Sequence, residues 1–113
     1  MTRPTPHPGR PVRGSQTGRP LMATLDLLGR RWALRLLWEL RDEPLGARAL
    51  RTRCDGMSSS VLYERLSELG AAGLIAKNAA GDYTLTALGA DLGAALDPLD
   101  HWSRRWAEQH DAR

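Results

Sequence analysis

Residues 46–73 read GARALRTRCDGMSSSVLYERLSELGAAG, and the fold turns on them. Asp55-Gly56 is a turn signal between two segments of helical spacing. Ahead of it, Leu45 and Leu50 anchor a helix from about Gly46 to Arg53. After it, Ser58 is a good N-cap. Val61, Leu62, Leu66 and Leu69 then form an apolar stripe, and Gly73 ends the helix. Two short helices across a tight turn make a helix–turn–helix.

Upstream, Leu21, Leu25 and Leu28 follow 3–4 spacing and Gly29 closes a first helix. A second helix is expected over about Arg31–Arg41, with Trp32, Leu36, Leu37 and Leu40 facing inward and Pro44 closing the following turn. Downstream, Leu74–Lys77 and Asp82–Leu85 flank a turn through Gly81 and read as a hairpin. Thr86 caps a C-terminal helix whose apolar positions are Leu88, Leu92, Leu96, Leu99, Trp102 and Trp106. Inside it, Asp97-Pro98 looks like a fresh helix start and predicts a kink or break. The order predicts a mainly α (α+β) fold, a winged helix-turn-helix with a short β-hairpin wing. In such a fold the second helix of the turn enters the major groove of DNA.

The chain has 113 residues, with 16 Lys+Arg, 13 Asp+Glu and a net charge of +3, enough for one small domain. A chain of this size buries roughly 65% of its unfolded surface, so a core needs neither disulfides nor metal. Its single cysteine cannot form an internal bridge, which points to a reducing, cytoplasmic setting. No apolar run approaches the ~18 residues of a membrane span. The N-terminal stretch has no apolar region of the signal-peptide kind.

The charge is unevenly placed. Residues 1–20 hold four Arg, five Pro and no acid, giving +4, so the remaining 93 residues carry −1. We read 1–19 as a flexible basic arm, too rich in Pro and Gly to offset its ordering entropy, and 20–113 as the folded domain. Within that domain, residues 44–80 carry +2 and residues 81–113 carry −3. A basic centre beside an acidic end points weakly to an anionic partner at the centre.

Several strings fall into one register: Leu25–Gly29, Arg31-Trp32, Leu36-Leu37, Gly56-Met57-Ser58, Arg65-Leu66, Glu68-Leu69, Gly73-Leu74, Tyr83–Thr86 and Pro98–Asp100 with Trp102. Together they resemble the HxlR family of bacterial winged-helix transcriptional regulators, over about residues 20–109. The resemblance implies a homodimer paired through its first and last helices, a near-palindromic double-stranded operator and often a response to redox or electrophilic signals. Three positions depart from the family pattern. Arg19 stands before Pro20 where many members carry a sensing cysteine. Ala47 and Ala49 replace an aromatic and an acidic residue. The wing is short, with Lys77 its one basic residue.

The candidate site residues follow from geometry. With the stripe inward, Ser59, Ser60, Tyr63, Glu64 and Ser67 face outward. The hydroxyls are candidates to meet bases and phosphates, Glu64 either accepts from a cytosine amino group or merely repels phosphate, and Ser58 either joins them or only caps. Arg48, Arg51 and Arg53 are either a solvated face or phosphate contacts, and Lys77 could anchor the hairpin on the DNA backbone. Arg65 borders the stripe and could pair with Glu68 or Glu64 instead. A domain this small has little left to cover the C-terminal stripe. Leu21, Leu25, Leu92, Leu96, Leu99, Trp102 and Trp106 are therefore the expected dimer interface.

Cys54 reads as a small buried hydrophobe. No residue spacing suggests an active site, a metal site or a cofactor, and an unidentified small-molecule effector stays open. The leading expectation is a dimeric DNA-binding repressor or regulator. The alternative is a winged-helix interaction module that has lost DNA reading.

Overall fold

A computed structural model describes residues 4–111. In chain order the elements are α1 (Pro20–Leu28), α2 (Ala33–Glu39), α3 (Ala47–Arg53), α4 (Ser59–Ala71), β1 (Ile75–Lys77), β2 (Tyr83–Leu85), α5 (Ala87–Ala95) and α6 (Asp97–Asp111). This is the winged helix-turn-helix order expected from the sequence.

The helix–turn–helix forms for the local reasons its residues supply. The Ser58 hydroxyl accepts from the Val61 amide at 3.3 Å and caps α4. Gly73, at φ +81°, turns the chain out of the helix, and the Leu74 amide reaches back to the Leu69 carbonyl at 3.0 Å. The stripe then packs inward: Leu62, Leu66 and Leu69 are buried against Leu36, Leu37 and Leu50.

Helix α2 begins two residues later than the periodicity predicts. Trp32 adopts a left-handed conformation at φ +75°, which no helix accommodates, so Arg30–Trp32 form a turn. Further on, the expected break between α5 and α6 falls at Leu96-Asp97, where the Leu96 amide is shared between the Leu92 and Gly93 carbonyls. Arg41 spans the gap to the new helix. Its guanidinium lies 3.3 Å from the centroid of Trp38 and 3.6 Å from the Asp97 carboxylate.

The hairpin pairs antiparallel, Ile75 with Leu85 and Lys77 with Tyr83. Leu45 adds one further bridge, exchanging bonds of 3.0 and 2.8 Å with Tyr83. A one-residue bridge has no periodicity, so nothing in the sequence pattern announced it.

The segment read as an arm, of which residues 1–3 lie outside the described residues, is folded back on itself. The Gly9 amide donates to the Gly18 carbonyl at 2.9 Å, and Val12 and Ser15 exchange bonds of 2.8 and 3.0 Å. The Arg13 amide donates to the Asp26 carboxylate at 3.2 Å, which ties the fold-back to α1.

Beneath α4 lies a buried ion cluster. The Glu68 carboxylate accepts from Arg30 and, at 2.5 Å, from Arg65. Arg65 also donates to the Arg31 carbonyl at 2.8 Å, and Arg30 to the Pro4 carbonyl at 2.6 Å. Removing one partner of such a cluster strands the rest in a poor solvent, at a cost of about 3–5 kcal/mol. We therefore expect Glu68→Ala to lower the urea midpoint sharply. Glu64→Ala, one turn away and more exposed, should change stability by no more than about 0.5 kcal/mol.

Candidate nucleic-acid interface

Three elements meet around the start of α4. Helix α3 presents Arg48 from its first turn and Arg51 from its last, the Asp55-Gly56 turn follows, and the first turns of α4 present Ser59 and Tyr63. Together they line an open hollow of about 730 Å³. Ala47 also lines it, and the space follows in part from its small side chain. Both arginines are exposed, and neither makes an ion pair among the described residues. Tyr63 is 55% exposed.

The remaining predicted residues divide. Ser60 and Ser67 are exposed on α4, and Ser60 Oγ lies 3.3 Å from Ser58 Oγ. Ser58 itself is engaged as the cap. Glu64 pairs with Arg65 at 3.3 Å, so part of its charge is countered within the chain. Arg53 differs from its two neighbours on α3: it lies 2.9 Å from Glu43 and 3.6 Å from Glu39, turned toward α2. Arg35 joins this group, donating to Glu39 at 2.8 Å and to the Arg53 carbonyl at 2.7 Å. The bond to Glu39 raises the Arg35 pKa, so the charge stays fixed there.

On the wing, the Lys77 ammonium sits 5.3 Å from the centroid of Tyr83. The wing tip is held tight by Asn78, whose side-chain oxygen accepts from the amides of Ala80 and Asp82 at 3.0 Å each. Lys77 is the single cation the wing offers.

The apolar residues expected at an interface also divide. Leu21, Leu25, Leu99, Trp102 and Trp106 are exposed, between 48% and 64%. Trp102 and Trp106 stack with centroids 5.6 Å apart. Leu96 is buried within the chain and Leu92 is half-buried against the core, so these two are already covered. Sequence spacing places Leu92, Leu96, Leu99, Trp102 and Trp106 on one stripe. The helix break at Asp97 leaves Leu92 and Leu96 inward, while Leu88 ahead of them is exposed.

Cys54 is fully buried at the foot of α3. Burial pushes its thiol pKa up, outweighing the opposite pull of Arg35.

A helix–turn–helix with a two-stranded wing and a cationic rim around its second helix defines the winged helix class of regulators. The HxlR-like helix-turn-helix family profile matches residues 27–111. The chain belongs to the HxlR family. Among solved structures it is similar to the quinone-bound YodB from B. subtilis, with 28% identity over 80% of this chain and 96% of that one and a TM-score of 0.65. A transcriptional regulator of the MarR family from Enterococcus faecalis V583 is 28% identical over 83% of this chain and 91% of that one, with a TM-score of 0.71. An HxlR family transcriptional factor from Thermoplasma volcanium GSS1 shares the fold at 24% identity, covering 79% and 85% of the two chains, with a TM-score of 0.68. The search among curated proteins returns no match. No helix among the described residues is long and apolar enough to cross a membrane.

Two outcomes follow from the buried thiol. Native protein should react with iodoacetamide far more slowly than urea-unfolded protein. Because the folded state holds the Cys54 proton more tightly than the unfolded state, stability should fall as pH rises past the ordinary thiol value of about 8.5. In Cys54→Ala that alkaline component should be missing from a series of urea melts.

Proposed function

We propose that the chain is a dimeric, sequence-specific DNA-binding repressor of the cytoplasm, which places α4 in the major groove of a near-palindromic operator. The observation that carries this reading is the hollow at the start of α4. There two uncommitted guanidiniums, Arg48 and Arg51, flank the exposed hydroxyls of Ser59 and Tyr63. Arginines on the rim hold phosphates and set the register of the reading helix. Hydroxyls on α4 contact base edges with limited discrimination, so each base pair contributes modestly. Ser58, Ser60 and Ser67 extend that surface, Glu64 accepts from a cytosine amino group, and Lys77 rests on the backbone beside the groove. Arg53 contributes less, because its charge is shared with Glu43 and Glu39.

The dimer pairs α1 and α6 with their copies about a two-fold axis. Leu21, Leu25, Leu99, Trp102 and Trp106 are exposed apolar side chains on these two helices, and an isologous pair covers them at once. Trp102→Ala with Leu99→Asp should shift the sedimentation of the protein from dimer to monomer.

Salt-titrated binding to DNA flanking the protein's own gene tests the reading. Affinity should fall steeply with salt, and Arg48→Ala with Arg51→Ala should reduce the log–log slope by about 2. Arg53→Ala should reduce it by less than either. A salt-independent signal, or equal binding to all fragments, sinks the proposal. It would favour an interaction module that has lost DNA reading, a reading supported by the lack of any outward Arg or Lys on α4.

A further inference from the structure

The fold-back of the N-terminal segment is encoded. Gly9, Gly14 and Gly18 all sit at positive φ, and a Cβ on Gly18 would come within 1.9 Å of the Arg10 carbonyl oxygen. Closed in this way, the segment seats residues 5–8 over α1 and α5 and roofs a cavity of about 630 Å³. That volume is within the range of small-molecule sites. Pro6, Ala23, Leu27, Leu74 and Leu92 make its apolar walls. Three ionisable groups line it as well: Arg10 and His7 from the segment and Asp91 from α5. His7 Nδ1 lies 2.8 Å from the Pro8 carbonyl oxygen. The Arg10 guanidinium makes no ion pair among the described residues.

We propose that this cavity binds an apolar small molecule bearing a single anionic group, with its body among the aliphatic walls and its charge at Arg10. Charge complementarity selects the occupant. Arg10 is a cation at the edge of an apolar chamber, and Asp91 across from the segment disfavours a second negative charge. The cavity also touches the reading helix, because Ala71 and Ala72 at the end of α4 line it. Arg30 joins the roof to the same helix, bonding the Pro4 carbonyl and the Glu68 carboxylate. That link gives an effector a route to α4, and its regulatory consequence rests on the DNA-binding reading above. Binding itself does not.

The test uses the full chain and two fluorescent probes of the same aromatic skeleton, anionic 1-anilinonaphthalene-8-sulfonate and neutral N-phenyl-1-naphthylamine. One saturable site per chain is expected, with the anion preferred. Arg10→Gln should abolish that preference, and Asp91→Asn should leave the anion's affinity equal or higher. Gly18→Ala should weaken both probes by about tenfold or more by unseating the roof. Circular dichroism should show the helices unchanged. Ala72→Leu, which narrows the chamber and leaves the segment alone, should weaken them as well. Trp102→Ala, on the α6 stripe, should have no effect. Binding that survives both Gly18→Ala and Ala72→Leu, that is lost in Trp102→Ala, or that favours the neutral probe overturns the proposal. None of these readouts needs DNA, so a failure of DNA reading is seen separately, in the salt titration.

Discussion

The carboxylate of Glu68 fixes the placement of α4. It is nearly buried, and it is held by Arg30 from the turn after α1 and Arg65 from its own helix. A lone carboxylate in that position would lose most of its hydration, and two lone guanidiniums would lose theirs. Only the complete cluster avoids both costs. The geometry that completes it sets the rotation of α4 relative to the α1–α2 turn. The close packing of Leu62, Leu66 and Leu69 and the two-sided ion cluster hold that rotation together.

That rotation decides what the outer face of α4 shows to a partner. Glu68 and Arg65 turn inward, so the outward positions are left with serines, Tyr63 and a partly neutralised Glu64. The cations needed near a polyanion come instead from α3. In the DNA-binding reading proposed above, affinity and reading would be divided between two helices: arginines on α3 for a sequence-independent attraction, and hydroxyls on α4 for a weak code. Arg53 shows how closely this is drawn. It lies two residues beyond Arg51, yet it faces Glu39 and Glu43 and serves to tie α3 to α2.

Much of this was legible in the sequence. The stripe from Val61 to Leu69, the Ser58 cap, the Gly73 stop and the Asp97-Pro98 restart are local signals, and each appears in the structure within a residue or two of its expected place. The candidate pairing of Arg65 with Glu68 was also legible, because i,i+3 partners share a helix face. The role of Arg30 was not. It lies 38 positions from Glu68, and no spacing rule relates a turn residue to a helix so distant in the chain. The late start of α2 was hidden for a different reason: Trp32 is apolar and in register, and periodicity is blind to a backbone at φ +75°. Leu92 and Leu96 were assigned to an outer surface because a stripe on paper is straight, while the break at Asp97 bends it.

The net charge of +3 is the sum of +4 in the first 20 residues and −1 in the rest, and that +4 alone would suggest a cationic arm reaching for DNA. In the structure residues 5–8 and Arg10 of that segment are seated beside Ala71 and Ala72, at the far end of α4 from Ser59. A helix of 13 residues spans roughly 20 Å, about two Debye lengths at physiological salt. From there the Arg10 charge is too screened to add much at the far end of α4. In the DNA-binding reading proposed above, attraction then rests on Arg48 and Arg51, in a domain whose own net charge is −1.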